Sequence, residues 1–350
     1  RTHAATEIGR GIGKTRKDIT MTTTRSDIAA SSRSTDMGSL AVLFAALLWG
    51  TTGTAAHFNQ DVSPLATGAF AMGIGGLLQA VIARPNIMGC LSLLMAQKGR
   101  VLLGAVCVVI YPLAFYSSMH LAGVAIGTVI TIATAPLAAA ILERLFGHHR
   151  LTLSWYLSLA LGIAGVVMMA MGETATHGGD IVAISASGDP MATGSGSVPD
   201  TDWQRLTGIV LGIIAGTTYA AYSLIARRMM DHGTHARAAM GSLFGVAGIA
   251  LIAGLGLSML VADPRLFATP GNTSVALYMA LVPMFLGYIA FGYGLKTVAA
   301  SKATLLTLFE PLVAALLAVT IVGEHIAPLG WLGMALIAVC LVIQVTPATA

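Results

Sequence analysis

The stretch ATLLTLFEPLVAALLAVTIV, residues 303–322, decides the fold class of this chain of 350 residues. It contains a single charged side chain, Glu310. A helix that rises 1.5 Å per residue needs about 20 apolar residues to cross the hydrocarbon core of a bilayer. The stretch therefore predicts a membrane-spanning helix, and nine similar runs lie along the chain. The ten runs are residues 40–58, 64–82, 101–119, 124–145, 155–171, 206–225, 238–261, 274–293, 303–322 and 330–345.

The positive charges alternate with these runs and predict the orientation of the chain. Of the 19 Lys and Arg residues, the odd-numbered connections hold only Arg205 and Arg265. The other basic residues lie in the N-terminal arm and in the even-numbered connections. Short basic connections stay on the cytoplasmic side. We therefore expect a multi-pass protein of the cytoplasmic membrane with both termini in the cytoplasm.

Composition agrees with a membrane protein and excludes a soluble one. Apolar residues make up 56% of the chain and charged residues 10%, against about 25% charged residues in soluble domains. We interpret the basic residues as determinants of topology and contacts to lipid headgroups, so no nucleic-acid partner is expected. Glu143, Lys296 and Lys302 are interpreted in the same way, as headgroup anchors. No metal-ligand spacing occurs, and the sequence predicts neither metal nor cofactor.

The ten runs divide into two sets of five. An odd number of helices in each set means that the second set starts from the opposite side of the membrane, which predicts two inverted repeats. The polar stretch between the sets is rich in Gly, Ser and Thr and is predicted to be a flexible linker. The predicted segments are a disordered basic arm (1–37), a first repeat (38–172), the linker (173–204), a second repeat (205–346) and a short cytoplasmic tail (347–350).

Three segments resemble the drug/metabolite transporter superfamily, and in particular its EamA-type members. They are LLWGTTG at residues 47–53, EPLVAA at residues 310–315, and Gly323-Glu324 leading into GWLG at residues 330–333. The sequence departs from the pattern of the family in its first half, where His149 and Ala135 stand at the positions that match Glu324 and Glu310. The resemblance implies an all-α carrier whose cavity is lined by helices 1, 3, 4, 6, 8 and 9.

The expected function is therefore secondary active transport, as an exporter of small metabolites such as amino acids, related amines or drugs. Its partners would be a small-molecule substrate and the bilayer, and the sequence leaves open whether a homodimer forms. The alternatives are an intramembrane enzyme, a regulatory membrane protein and a channel, although the spans lack rings of charge suited to an ion filter. The enzyme is disfavoured because no nucleophile and base, and no paired aspartates, occur in the spans, so we predict that the chain is not an enzyme.

The candidate site residues are polar or aromatic side chains within the spans. A carboxylate inside the membrane, as at Glu310, is functional by default, because burying it costs about 2.5 to 3.5 kcal/mol. The predicted roles of Glu310 are binding of a substrate ammonium or transfer of a coupling proton. The alternative is a structural role beside the predicted helix break at Pro311. Rings and hydroxyls would contact and orient the ligand. The candidates for the cavity are Trp49, Thr51, Thr52, Tyr111, Thr131, Thr134, Thr218, Tyr219, Tyr222, Tyr288 and Glu310. Pro136 and Pro311 mark segments predicted to be broken or kinked.

Overall fold

The computed structural model of the protein describes residues 36–58, 62–146, 151–176, 202–256 and 264–346. Over these residues the chain is helical without strands, and ten helices are long and apolar enough to cross a membrane. The all-α fold and the number of spans predicted from the sequence are confirmed. The helices are α1 (Asp36–His57), α2 (Pro64–Gly89), α3 (Lys98–Ala122), α4 (Ala125–Phe146), α5 (Leu153–Gly172), α6 (Trp203–Asp231), α7 (Ala236–Ala253), α8 (Pro270–Gly294), α9 (Ala300–Val322) and α10 (Pro328–Val345).

The predicted arm, linker and tail lie almost entirely outside the described residues. At their edges the helices extend further than the sequence predicted. Helix continues from α5 to Thr176, and the helix that contains α6 begins at Asp202. The boundaries of the two repeats stay a prediction.

The two ends of the helix bundle differ in charge. One end of the bundle contains the first residues of the odd-numbered helices and the last residues of the even-numbered helices. There Gly38 of α1 lies against Thr297, after α8, and Arg100 of α3 contacts His232, after α6. We call this end the basic end, and the other the opposite end. The described basic residues at the basic end are Arg84, Lys98, Arg100, Arg144, Arg227, Arg228, Arg237, Lys296 and Lys302.

Helices from the first five spans pack on helices from the last five. The most extensive pairings are α3 with α6, α2 with α7, α5 with α10 and α4 with α6. Small residues permit this close approach, as is usual in membranes. Between α5 and α10, a Cβ atom added to Gly165 would lie 2.7 Å from the carbonyl oxygen of Gly333, and one added to Gly333 would lie 2.5 Å from that of Gly165. The two backbones are therefore in direct contact.

Gly216 gives α6 the same kind of contact with α4. A Cβ atom at this position would lie 2.6 Å from the carbonyl oxygen of Thr131 and 2.7 Å from Cβ of Thr134. The hydroxyl of Thr131 donates a hydrogen bond to the carbonyl of Gly212, one turn earlier on α6, at 3.3 Å. Because the contact involves backbone atoms, a side chain at position 216 forces the two helices apart.

We therefore expect Gly216→Ala to lower the free energy of unfolding by about 1 to 3 kcal/mol, the usual cost of overpacking. The measurement is unfolding of the purified protein in a denaturing detergent. Gly99→Ala is the matched control, since a Cβ atom there has no neighbour within 4 Å and alanine favours helix. An equal loss of stability in both variants would contradict the packing described for α4 and α6.

Two spans are interrupted where they pass through the middle of the bundle. In α1 the helix stops at Thr51, whose hydroxyl donates to the carbonyl of Leu48 at 2.7 Å. In α9 residues 307–308 form a turn before the helix resumes at Phe309. Pro311 lies in the first turn of the resumed helix, where its missing N–H costs little. The predicted break in α9 is therefore present.

No break occurs at Pro136, where the sequence predicted a broken or kinked helix. The helix Val124–Phe146 continues through this residue without interruption. A proline inside a helix removes one backbone hydrogen bond, here the bond to the carbonyl of Ile132, and membrane helices often tolerate this. Only one of the two equivalent prolines thus stands beside an interruption.

Glu143 is not a headgroup anchor, as the sequence suggested, but a buried side chain with 5% of its surface exposed. Its carboxylate, on α4, accepts hydrogen bonds from the backbone N–H and from the hydroxyl of Ser301, in the first turn of α9. Helix N-termini favour negative charge, because their first N–H groups have no partner within the helix. Trp155 of α5 adds a hydrogen bond to the carbonyl of Ser301 at 3.4 Å. Together these bonds join the two sets of helices at the basic end.

Candidate functional site

A cavity lies in the middle of the bundle between seven helices. The centre of a water molecule can occupy about 70 Å³ of it, so the cavity has room for several water molecules. Helices α1, α3, α4, α6, α8 and α9 contribute to its wall, as the family resemblance implied. Gly68 and Met72 add α2, which was not expected. The described lining residues are Trp49, Thr52, Gly68, Met72, Tyr111, Pro112, Phe115, Tyr116, Thr131, Ile132, Ala135, Tyr219, Met284, Tyr288, Thr304, Thr307, Leu308 and Glu310.

Glu310 is the only acidic residue among these lining residues, and no Lys, Arg or His accompanies it. It lies ten residues after the start of α9, about 15 Å along the helix. That is the middle of a hydrocarbon core about 30 Å thick, deeper than the sequence suggested. Among the described residues its carboxylate forms neither an ion pair nor a hydrogen bond. The cavity therefore presents one negative group to whatever it holds.

Aromatic rings surround this carboxylate. Tyr111 of α3 and Tyr219 of α6 have ring centroids 5.4 Å apart, and Trp49 of α1 lies 4.8 Å from Tyr288 of α8. These separations are typical of attractive aromatic pairs. The face of an aromatic ring attracts cations, as a carboxylate does. The rings and Glu310 therefore both favour a cationic ligand.

An irregular segment of α8 places Trp49. Residues Ala280–Gly287 form a π-helix, a geometry that is frequent at functional sites. The indole N–H of Trp49 donates to the carbonyl of Pro283 at 3.0 Å, and the side-chain amide of Gln79 donates to the carbonyl of Met284 at 3.3 Å. Gly287 leaves space for the indole, since a Cβ atom there would lie 2.7 Å from its Nε1.

The threonines of the cavity use their hydroxyl protons within the protein. Thr52 donates to the carbonyl of Trp49, Thr307 to that of Thr304, and Thr304 to that of Ala300. Their oxygens remain available as acceptors. Acceptors of this kind suit a ligand that donates hydrogen bonds.

A buried aromatic layer closes the cavity towards the basic end. Tyr222 of α6, Phe244 of α7 and Phe291 of α8 are each at most 1% exposed. Phe244 lies 4.5 Å from Tyr288 and 5.6 Å from Tyr222, between ring centroids. The layer therefore continues from the floor of the cavity into the core.

Seven of the eleven predicted cavity residues lie together on its wall: Trp49, Thr52, Tyr111, Thr131, Tyr219, Tyr288 and Glu310. The other four do not line it. Thr51 shares a hydrogen bond of 2.7 Å with the hydroxyl of Tyr278, and Thr218 donates to the carbonyl of Ile214. Thr134 packs against Gly216, and Tyr222 belongs to the aromatic layer. That these eleven residues contact a substrate stays a prediction.

Sequence reasoning missed several members of the wall. Thr304 and Thr307 could have been found, because they precede Glu310 at intervals of three residues and so lie close to its face of the helix. Met72, Ile132, Met284 and Leu308 carried no signal, because apolar side chains are common on every face of a membrane span.

In the described part of the chain, ten helices are long and apolar enough to cross a membrane and seven of them line a central cavity, an arrangement typical of multi-pass membrane transport proteins. The profile of the EamA-like transporter family matches residues 36–171 and 206–346. The chain therefore belongs to the EamA-like transporter family, within the drug/metabolite transporter superfamily. The resemblance described from the sequence is confirmed.

The proteins to which the chain is similar include two bacterial proteins and one solved structure. It is 34% identical over 311 residues to "Uncharacterized transporter YwfM" of Bacillus subtilis (strain 168), covering 88% of this chain and 94% of the relative. It is 26% identical over 222 residues to "Uncharacterized inner membrane transporter YedA" of Escherichia coli (strain K12), covering 61% and 60%. A crystal structure with 18% identity shares the fold, with a TM-score of 0.67 over 87% of this chain and 95% of that one.

Proposed function

We propose that the protein is a secondary carrier for small organic amines that bear an apolar or aromatic group. The observation that carries this proposal is the unpaired carboxylate of Glu310 in a cavity lined by aromatic rings and by no described basic residue. An ammonium group would pair with the carboxylate and contact the ring faces. The cavity volume of about 70 Å³ is below the roughly 300 to 1,000 Å³ of small-molecule sites, so the cavity would have to widen around a substrate. A small amine would require less widening than a bulky drug.

Amines fit this wall better than amino acids do. The carboxylate of an amino acid would enter a cavity whose charged lining residue is also negative. With no lysine or arginine on the described wall to pair with it, the desolvation of that carboxylate would be uncompensated. An anionic metabolite would face the same obstacle without an ammonium group to offset it.

The proposed mechanism is alternating access between two inverted repeats, with export from the cytoplasm at the basic end. Equivalent contacts in the two halves support the inverted arrangement. A Cβ atom added to Gly50 of α1 would lie 2.8 Å from the carbonyl oxygen of Glu310 on α9, and one added to Gly216 of α6 would lie 3.0 Å from the backbone N of Ala135 on α4. Gly50 matches Gly216, and Ala135 matches Glu310, when the halves are superposed by sequence.

In this conformation the cavity would open away from the basic end. Its residues from α1 to α4 lie in the half of each helix nearer the opposite end, as Met72, Phe115 and Thr131 illustrate. At the basic end the aromatic layer and the bonds between Glu143 and Ser301 close the path. Export would require these contacts to separate.

An intramembrane enzyme is less well supported. The described lining residues include no His, Cys, Ser or Lys that could serve as nucleophile or base beside Glu310. A regulatory role is favoured by no described lining residue of the cavity, whose carboxylate and rings suit a small ligand. Transport therefore remains the function that this site supports best.

The test is transport by purified protein in proteoliposomes with three compounds that share a phenyl ring. They are phenethylamine, which is a cation, phenylalanine, which is a zwitterion, and 3-phenylpropionate, which is an anion. We expect saturable movement of the amine, with and without an imposed pH gradient, and little or none of the other two. Preferred transport of the anion would contradict the proposed substrate class. Because the neutral form of an amine crosses a bilayer unaided, only movement driven by the pH gradient beyond that in protein-free liposomes would identify protons as the coupling ion.

A further inference from the structure

A second concave site lies on the side of the bundle, between α1, α2, α7 and α8. It is a groove in which the centre of a water molecule can occupy about 1000 Å³. This volume is at the upper limit for small-molecule sites. Its wall is largely apolar and includes Leu40 and Phe44 of α1, Ile82 of α2 and Leu286 of α8. These side chains are between 46% and 56% exposed, so they face the surroundings of the helix bundle.

The charge of the groove is confined to one end. Arg237, at the start of α7, and Lys296, just after α8, line it at the basic end, beside His235. No Asp or Glu is among the described lining residues, and neither Arg237 nor Lys296 forms an ion pair within the described ranges. Asp36, at the start of α1, interacts with Lys302 of α9 instead. Two cations thus stand at the mouth of an apolar groove.

The length of the groove matches one leaflet of a bilayer. From Leu286 to Lys296 the chain advances ten residues, about 15 Å along a helix. Half of a hydrocarbon core about 30 Å thick is the same length. A molecule with an anionic group at the level of Lys296 and an apolar tail would therefore lie along the groove without leaving its own leaflet.

We propose that this groove binds one anionic phospholipid, with the phosphate at Arg237 and Lys296 and an acyl chain along Leu40, Phe44, Ile82 and Leu286. The site differs from the general attraction of basic residues for anionic lipids because it combines the two cations with a cleft for the chain. The positive mouth also disfavours the groove as a route for the amines proposed above, which it would repel.

The inner end of the groove lies next to the wall of the central cavity. Gln79, which lines the groove, donates its hydrogen bond to the carbonyl of Met284, and Met284 lines the cavity. A single layer of side chains thus separates the two sites. A lipid in the groove would support the π-helical segment of α8 from the side opposite the substrate.

The test is native mass spectrometry of the full-length protein with added phosphatidylglycerol or phosphatidylcholine. We expect retention of one phosphatidylglycerol in preference to phosphatidylcholine. A direct ion pair at a protein surface contributes up to about five-fold to affinity, so Arg237→Ala with Lys296→Ala, which removes both partners of the phosphate, should weaken retention up to about 30-fold. The matched control is Arg84→Ala with Arg144→Ala, which removes two exposed cations at the same end but outside the groove. An equal loss in the control, or no preference in the natural protein, would overturn the proposal.

A second measurement keeps all the charges in place. Phe44→Trp puts a fluorophore near the inner end of the groove, and brominated acyl chains quench a tryptophan that they touch. Brominated phosphatidylglycerol should quench this added fluorescence more strongly than brominated phosphatidylcholine at equal content. Equal quenching by the two brominated lipids would refute a selective site. A native mass spectrum that shows a dimer without bound lipid would also refute it, because a second chain would then cover the groove.

Discussion

Replacing Glu310 with glutamine should reduce transport of the amine about 10- to 100-fold while the protein stays at least as stable. A hydrogen-bonded contact to a charged group is worth about 1.5 to 3 kcal/mol, which corresponds to this range. Glutamine keeps the shape and removes the charge. Because an ionised side chain inside a membrane is costly, the neutral variant should be no less resistant to unfolding. Initial rates in proteoliposomes and unfolding in denaturing detergent are the two measurements.

The combination of the two results separates function from structure. If Glu310 only stabilised the interruption before Pro311, transport and stability would fall together. Glu310→Asp, which keeps the charge, should retain more transport than the glutamine variant. Thr320→Val is the matched control on the same helix, since Thr320 is exposed and bonds only to the carbonyl of Leu316. Unchanged transport in Glu310→Gln, together with an unchanged dependence on pH, would refute both roles proposed for this carboxylate.

Glu143→Ala should lower the free energy of unfolding by about 2 to 4 kcal/mol. The substitution leaves the backbone N–H and the hydroxyl of Ser301 without their acceptor, and each buried donor without a partner costs about 1 to 3 kcal/mol. It also removes the negative charge that favours the N-terminus of α9. The measurement is equilibrium unfolding, as for Gly216→Ala.

A double-mutant cycle with Ser301→Ala tests whether the effect arises from this contact. We expect a coupling energy of about 1 to 2 kcal/mol, less than the whole effect, because the backbone N–H remains in Ser301→Ala. Asp231→Ala is the control carboxylate. Its ion pair with Arg227 is at the surface, where the Asp231 side chain is 51% exposed, so its loss should cost at most about 1 kcal/mol. Additive effects of Glu143→Ala and Ser301→Ala would contradict the contact.

The number and course of the helices followed from the sequence because length and hydropathy set them directly. The sequence did not predict which face of each helix packs against other helices and which face contacts lipid. A span that is apolar all round presents similar side chains to lipid and to protein, so periodicity carries little information. Tyr219 and Tyr222 show the difficulty, since they lie three residues apart on α6 and only Tyr219 lines the cavity.

Charged and polar residues were located better than they were interpreted. Glu310 was identified because a carboxylate within a span is rare for physical reasons. Glu143 was assigned to the surface because it stands next to Arg144 near the end of its run. Its partner, Ser301, is 158 residues away, and a contact at that separation depends on how α4 and α9 pack. The groove between α1, α2, α7 and α8 was hidden for the same reason.

The positions that would form the counterpart of the bond between Glu143 and Ser301 at the opposite end are apolar. A shift of 175 residues, which aligns Pro136 with Pro311, matches Glu143 with Ala318 and Ser301 with Ile126. Under the proposed exchange of conformations, the two resting states would then be unequally populated. A free-energy difference of about 1.4 kcal/mol between the two conformations gives a ten-fold ratio of their populations. Most unloaded carriers would then have the cavity open to the same side of the membrane. Such a bias sets which step limits turnover, whereas the direction of accumulation is still fixed by the gradients across the membrane.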